Sequence, residues 1–490
     1  MATRANKHAT AEQQYYGEFS GGLNLSLPGE GIGKNEMQIA DNFEYNTKTG
    51  ALKLRDGIVL METFAQNIRD IIPVAGADAL LVRLADNNVH RLDEYTLSGS
   101  LGTVVGSGKL SHTTWGDNSE VLMCAGGKLY HYNGTTLAVV SESPDRNDFC
   151  FTRAGRVGVV DSSSDTITYS GVGDIHNWQL EDIGGDTWND ADAVSIEVGY
   201  KDGCDLVAVA PLASDLVVFK RPQDQPGLGR IYRVTGNYPN WEVTQHSSGS
   251  STWGHSTWAT TTNDLIFIAS EGIASLGTVT DYGDIKMQWA GAKVNPVLAR
   301  ELMSECRMWK MGGQAQLWVK TKPTGDIWVY SYGVGQGAWT KFKFPSPVID
   351  ACTTGTKRYI ALANQVYRMD ETFGTDNGQP FVGRVKMQSI RKIGMMVIKY
   401  CYVAFDSMAD SEAELIVEGN RITLNFGGQL GDMVVSDTDV ASEDDDYLLS
   451  SRSASVRTRM NIRVWDATAE LKVTRGPFSL NAVGLEVAEV

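Results

Sequence analysis

The sequence predicts an all-β protein: an imperfect β-propeller of six to eight blades with a C-terminal β-sandwich domain and a few short helices. Three observations point there. Seven short β-hairpins recur along the first three quarters of the chain, their spacing suits one propeller blade each, and the composition is rich in turn formers and aromatic residues. At 490 residues the chain exceeds the size at which one core stops growing, so two or more domains are expected. Its 51 glycines, 12 tryptophans and 21% charged residues favour a turn-rich β protein over helical repeats or disorder.

Each hairpin has four or five apolar β-formers, a tight turn and a second short strand carrying an aromatic residue or leucine. The first reads Ala79 to Leu84, turning at Asp86-Asn87-Asn88; the next is Val121 to Cys124, turning at Gly126-Gly127 into Leu129 to Tyr132. Val157 to Val160 precedes Ile167 to Tyr169, Leu216 to Phe219 precedes Ile231-Tyr232, and Leu265 to Ile268 turns at Glu271-Gly272. Leu317 to Val319 turns at residues 323–326 into Ile327 to Tyr330, and Tyr359 to Leu362 turns at Asn364-Gln365. First strands thus begin every 36 to 59 residues. A period of roughly 40 to 50 residues is what a four-stranded blade requires, because one blade cannot bury both faces alone and must stack on neighbours. A large β-sandwich array is the competing architecture.

The expected organisation is an N-terminal arm over 1–60, a propeller over 61–374 and a β-sandwich over 375–490. Within the first, Met37, Ile39, Ala40 and Phe43 suggest a short helix from Asn35 to Phe43. Within the second, Asn295 can cap and Pro296 can start a helix continuing over Val297 to Trp309. After Gly374 the strands lengthen and alternate more strictly. Val456, Thr458, Met460, Ile462 and Val464 share one face of a strand, and Arg457, Arg459 and Arg463 the other.

Charge is unevenly spread. The formal net charge is −16, which argues against a protein that wraps DNA with a basic face, since phosphate neutralisation needs clustered Lys and Arg. An acidic wall past which DNA slides without sticking is compatible with it. Asp406 to Asp446 holds twelve acidic residues against Arg421 alone, while Arg384, Lys386, Arg391, Lys392 and Lys399 precede it. Two readings stand. Glu443, Asp444, Asp445 and Asp446 form a solvated loop beside strands whose bases offset it, or they and Arg457, Arg459 and Arg463 form an inter-subunit or lumen charge surface suited to contacts between copies in a ring.

Candidate chemistry is sparse. The six cysteines are widely separated, without a C-x-x-C pair, and are expected to be reduced core residues rather than zinc ligands or disulfides. Neither a secretion signal nor a membrane span is expected, because the N-terminus is polar and the most apolar stretch, Ile71 to Val82, is broken by Pro73 and Asp78. Residues 29–34, Gly-Glu-Gly-Ile-Gly-Lys, lack phosphate-loop spacing, with Asn35 where a hydroxyl should be; Gly333 to Gly337 leads into a strand rather than a helix. In Gly254-His255-Ser256-Thr257-Trp258 the tryptophan replaces the second glycine of a nucleophile elbow, and neighbours in a strand face opposite ways. Asp186, Asp190 and Asp192 resemble calcium ligands, but Trp188 sits where an oxygen ligand is needed. No catalytic, cofactor-binding or metal residue is assigned. Paired carboxylates of a glycosidase are the remaining enzymatic possibility. Against it, Trp178, Trp241 and Trp339 recur just after hairpins, as expected of packing between blades.

Three N-terminal segments carry a resemblance. Residues 19–28 (Phe-Ser-Gly-Gly-Leu-Asn-Leu-Ser-Leu-Pro), 35–42 (Asn-Glu-Met-Gln-Ile-Ala-Asp-Asn) and 49–57 (Thr-Gly-Ala-Leu-Lys-Leu-Arg-Asp-Gly) resemble the opening of short-tailed phage tail nozzle, or tail-stabilisation (tail tubular), proteins. That family begins with a Gly-Gly-Leu/Ile turn, a short Gln/Ala/Asn-rich helix and a Gly-x-Leu-x-x-Arg-Pro-Gly strand start; Asp56 stands here in place of the proline. The resemblance implies a structural virion protein without catalytic residues, forming a homohexameric tube below the portal/adaptor ring, assembled in the host cytoplasm. Genomic DNA would pass through the tube, and tail fibres or spikes would attach to it. A receptor-binding or glycan-cleaving propeller at the tail tip is the alternative, and a cytoplasmic propeller scaffold a third.

Overall fold

The computed structural model describes residues 12–46, 50–94, 96–106, 108–116, 119–180, 192–222, 228–261, 264–278, 285–301, 306–323, 325–370, 374–407, 411–425, 433–434, 452–476 and 478–489. Among them the chain is nearly all β, with one α-helix, Asn295–Glu301. It divides into two compact units. One comprises Leu60–Gly325 with Ser346–Met369; the other gathers the residues up to Val59, Asp326–Pro345 and Asp370–Val490.

The first unit is the propeller. Five antiparallel sheets of four strands follow one another over residues 68–103, 111–139, 149–197, 205–248 and 258–288. Strands Val348–Thr354, Lys357–Leu362 and Gln365–Asp370 make a sixth sheet, and the hairpin of Arg307–Met311 with Gln316–Lys320 lies before it in sequence. Six of the seven predicted hairpins are the central strands of these sheets, as in Ala79–Leu84 paired with Asn88–Asp93 and Asp215–Arg221 paired with Arg230–Thr235; the hairpin expected from Leu317 to Val319 into Ile327 to Tyr330 is not one of them, since Ile327–Ser331 belongs to the other unit.

Central strands are mostly apolar because both their faces are covered. Ala79–Leu84 is buried at every position. Its alternate residues serve opposite neighbours: Leu80 and Val82 pack with Tyr359 and Ala361 of the last sheet, whereas Ala79 and Leu81 pack with Val121 and Met123 of the second. The last blade therefore closes on the first. Trp178 packs among Cys124, Cys150 and Val157, and Trp241 lies 5.0 Å from the Tyr169 ring, so both fill the space between blades as expected. All six cysteines are free and buried.

The second unit contains two large sheets. Four strands of one are labelled here: β1 (Glu12–Gly17), β2 (Ile390–Ser407), β3 (Arg452–Ala467) and β4 (Phe478–Glu489). They run in the order β1, β4, β2, β3, all antiparallel. Strands Ile327–Ser331, Ala338–Phe342, Glu36–Asp41, Gly383–Met387, Ala469–Arg475, Glu412–Val417 and Asn420–Asn425 form the other sheet in this unit. The sheets meet closely at Gly383, where an added Cβ would fall 2.4 Å from Leu54 Cδ1 and 2.8 Å from Phe43 Cε2.

Three expectations are corrected. Residues 36–41 and 43–45 are strands, not a helix: a bulge between Met37 and Ile39 resets the alternation and buries Met37 and Ala40 at the spacing of helix neighbours. The helix is described over Asn295–Glu301, and Arg307–Met311, expected to be helical through Trp309, instead pairs as a strand with Gln316–Lys320, placing Trp309 opposite Trp318. Residues 12–59 belong to the same unit as the C-terminal residues, since β1 pairs with β4 (Tyr16 opposite Val483) and Asp41 with Arg384. Pairing between strands hundreds of residues apart leaves no mark in local sequence pattern.

The segments that carry the resemblance converge inside this second unit. Gly22 adopts φ +67°, and a Cβ there would lie 2.6 Å from Trp339 N. Arg55 is sealed from solvent: Nη1 and Nη2 donate to Asp376 Oδ1 (2.9 Å) and Oδ2 (2.6 Å), and Nε donates to Asn42 Oδ1 (3.0 Å). Its guanidinium stacks on Phe381 at 3.8 Å and Phe344 at 4.7 Å. These motif residues hold strands together.

Candidate functional site

Among the described residues, polar chemistry gathers on the propeller axis and on an outward sheet face, among other places. On the axis, first strands of the blades line cavities of about 380 and 280 Å³ that share Lys109, Ser111, His255 and Ser256. Beside them lies a buried ionic lattice. Arg83 bridges Asp70 at 2.7 Å, and Arg307 reaches Asp70 at 3.3 Å and Asp350 at 3.1 Å. Trp309 Nε1 donates to Asp350 Oδ1 at 2.6 Å, and the Ile71 amide donates to Oδ2 at 2.8 Å. Burial pushes the Asp350 carboxyl up, against the pull of Arg307. With both carboxylates engaged by donors from their own and adjacent blades, the lattice ties blades together.

His255 is the axial group closest to a catalytic pattern. Its Nε2 lies 3.1 Å from Ser111 Oγ, its ring stacks on Phe149 at 4.7 Å, and Nδ1 has no hydrogen-bond partner among the described residues. Burial, with His112 nearby, pushes its pKa down to about 3. A histidine so reluctant to take a proton, with no carboxylate holding its far nitrogen, is a poor general base. The partner serine is Ser111 rather than its neighbour Ser256, a pairing across 144 positions that sequence inspection does not find.

The outward face belongs to β1, β4, β2 and β3. Inward-pointing Tyr16, Val483, Leu485, Cys401, Val403 and Phe405 are buried, so alternate residues point out. Register aligns those in rows across the four strands. One row reads Tyr15, Gly484, Tyr402, Arg457, and the next Gln13, Glu486, Tyr400, Arg459. Arg457 lies over the Tyr400 ring at 3.9 Å and reaches Glu486 at 3.4 Å, and the Tyr402 hydroxyl donates to the same carboxylate at 3.0 Å. Tyr15 and Tyr402 flank a groove of about 240 Å³ floored by Ala404, Ala482 and Gly484. Farther along β3, Arg463 and Trp465 are exposed.

Arg457, Arg459 and Arg463 thus stand on one exposed face, as the alternation predicts. Glu443, Asp444, Asp445 and Asp446 lie outside the described residues, as do Asp186 and Asp190. Tyr15, Tyr400, Tyr402, Glu486 and Trp465 were not singled out from sequence. The alternation Tyr400, Tyr402 against Cys401, Val403, Phe405 was a usable signal for two of them. Among the described residues, no group of three or more His, Cys, Asp or Glu is placed to hold a metal, and no helix is long and apolar enough to cross a membrane.

Sheets of four strands stacked around an axis decide the architecture. The fold is a β-propeller. No protein-family model and no curated protein matches the chain. Solved structures similar to it include U3-55K (9% identity, 64% of this chain and 98% of that one, TM-score 0.43). Virginiamycin B lyase from Staphylococcus aureus (12%, 64% and 97%, TM-score 0.44) and the WD40 propeller domain of Doa1 (12%, 64% and 97%, TM-score 0.39) are also similar. The likeness is one of fold.

Proposed function

We propose that this chain is a structural virion protein, the subunit of a short-tailed phage tail nozzle. In this reading copies assemble as a homohexameric ring below the portal/adaptor, genomic DNA is retained by and then passes through the ring, and tail fibres or spikes attach to its side. The observation that carries the reading is the set of N-terminal segments 19–28, 35–42 and 49–57 that resemble that family. Two features support it. Gly22, Asn42 and Arg55 of those segments serve one buried framework, as architectural motif residues do, and the net charge of −16 suits a wall that DNA passes without adhering.

Mass analysis of purified virions, together with the mass of the concentrated protein alone and with portal-adaptor particles, tests the proposal. The expected result is a ring-forming protein that is present in the tail. A strict monomer that never joins portal-adaptor particles overturns it, and so does release of oligosaccharide when the protein is incubated with host surface polysaccharide.

A further inference from the structure

The larger of the two axial cavities carries a pair of opposite charges that do not meet. Asp205 and Arg221 stand directly opposite one another where strands Asp205–Leu212 and Asp215–Arg221 pair, and both line the cavity of about 380 Å³. Side chains directly opposite in an antiparallel pair share one face, with Cβ atoms about 4.5–5.5 Å apart. An ion pair is therefore within easy reach, yet neither side chain has an ion-pair or hydrogen-bond partner among the described residues. Arg221 is half-buried, and burial pushes its guanidinium down from the ordinary arginine value while Asp205 pulls the other way. A partly desolvated cation and an adjacent carboxylate, both open to one cavity, are costly unless something else completes them.

The other charges of the lining are already committed. Asp148 Oδ2 accepts from the Ser162 amide at 2.8 Å and from Ser162 Oγ at 2.5 Å, and Lys109 Nζ lies 3.4 Å from both Ser256 Oγ and the Cys306 carbonyl oxygen. His255, with its pKa pushed down to about 3 by burial, is neutral at physiological pH. Lys109 and Arg221 therefore balance Asp148 and Asp205, and the lining as a whole carries no net charge. That balance selects among ligands. A simple anion such as phosphate would gain Arg221 but be opposed by two carboxylates, and a simple amine would leave Arg221 as it is. A ligand bearing one charge of each sign on neighbouring groups answers both side chains at once, and Leu110, Phe149 and Trp253 offer its remaining part an apolar wall.

We propose that this cavity binds a free α-amino acid, its carboxylate received by Arg221 and its ammonium by Asp205. The two charged groups of an α-amino acid hang from one carbon, which suits two side chains that start side by side on paired strands. A guanidinium can meet a carboxylate through two parallel N–H donors, whereas an ionised carboxylate only accepts, so the ligand has one orientation. A residue inside a peptide lacks both charges, and a chain terminus lacks one of them. Every lining residue belongs to the propeller unit, so the site is complete in one copy whether or not copies form a ring.

Thermal unfolding and calorimetry of the full-length protein with each of the common L-amino acids, L-leucine and L-phenylalanine first, test it. At least one is expected to raise the unfolding midpoint by about 5 °C when present at about a hundred times its dissociation constant. For that amino acid, the analogue without the ammonium and the analogue without the carboxylate should each bind at least about 10-fold more weakly. Arg221→Gln and Asp205→Asn should each weaken binding about 10- to 100-fold while the unliganded protein keeps its unfolding midpoint. The proposal falls if no amino acid binds, or if both substituted chains fold and bind as the wild type does. It falls equally if either single-charge analogue binds as tightly as its parent, which would make the cavity a plain anion or amine site. The analogue comparison uses the wild-type chain, so it stands even where a substituted chain fails to fold. The tail proposal survives each of these results, since virion mass analysis tests it separately.

Discussion

The two units handle buried charge and strand pairing in different ways. Five propeller blades pair strands adjacent in sequence, the last alone adding Gly57–Thr63 beside Gln365–Asp370, and the ionic lattice of Asp70, Arg83, Arg307 and Asp350 connects blades built mainly as local hairpin sheets. The second unit pairs strands separated by hundreds of residues, and Arg55 joins Asn42, Asp376 and the Lys343 carbonyl, three stretches far apart in sequence. Local pairing costs little loop-closure entropy, whereas distant pairing must recover a larger loss through interactions made only once the stretches have met. A buried charge in the second unit should therefore matter more to whether its unit forms at all.

The largest effect that comparison predicts is at Arg55. Arg55→Ala leaves Asp376 buried without its partner and is expected to cost about 3–5 kcal/mol. In hydrogen exchange resolved by peptide, protection should fall across residues 12–59 and 370–489 while the blades keep theirs. Uniform loss across both units would contradict the contrast.

Asp70→Asn keeps the size of the side chain and removes the charge that Arg83 and Arg307 share. We expect a loss of about 2–3 kcal/mol in urea unfolding, expressed in the propeller peptides. A null result would mean that Asp350 alone balances both guanidinium groups.

Acid should weaken the propeller specifically. His255 has its folded pKa pushed down to about 3, against about 6.5 when unfolded, so the unfolded state takes up the proton first. Its stabilising effect is complete above pH 6.5 and declines as pH falls toward 3, reaching about 2 kcal/mol lost at pH 5. His255→Phe should flatten this part of the stability profile, and an unchanged slope would remove His255 as its source.

The smallest effect is expected on the outward face. Arg459→Ala removes an exposed guanidinium without a carboxylate partner among the described residues, so the monomer's stability should change by less than about 0.5 kcal/mol. A larger loss would make the side chain part of the second unit's own framework.

The sequence by itself determined the hairpins and the outward direction of Arg457, Arg459 and Arg463. Turn residues and short apolar runs act between neighbours, and alternation along a strand needs no partner to be visible. It also marked Gly22, Asn42 and Arg55 by resemblance, without saying that they meet. Only the tertiary structure decided that 36–41 is a strand, since a bulge matched to Gly383–Met387 imitates helical spacing. It alone set Tyr15 and Tyr402 beside Arg457 and Ser111 beside His255, because register between distant strands is chosen by which inward faces pack together. The physical division is one of range: turns and alternation are local energies, whereas the composition of a face depends on contacts that exist only after the chain has closed its longest loops.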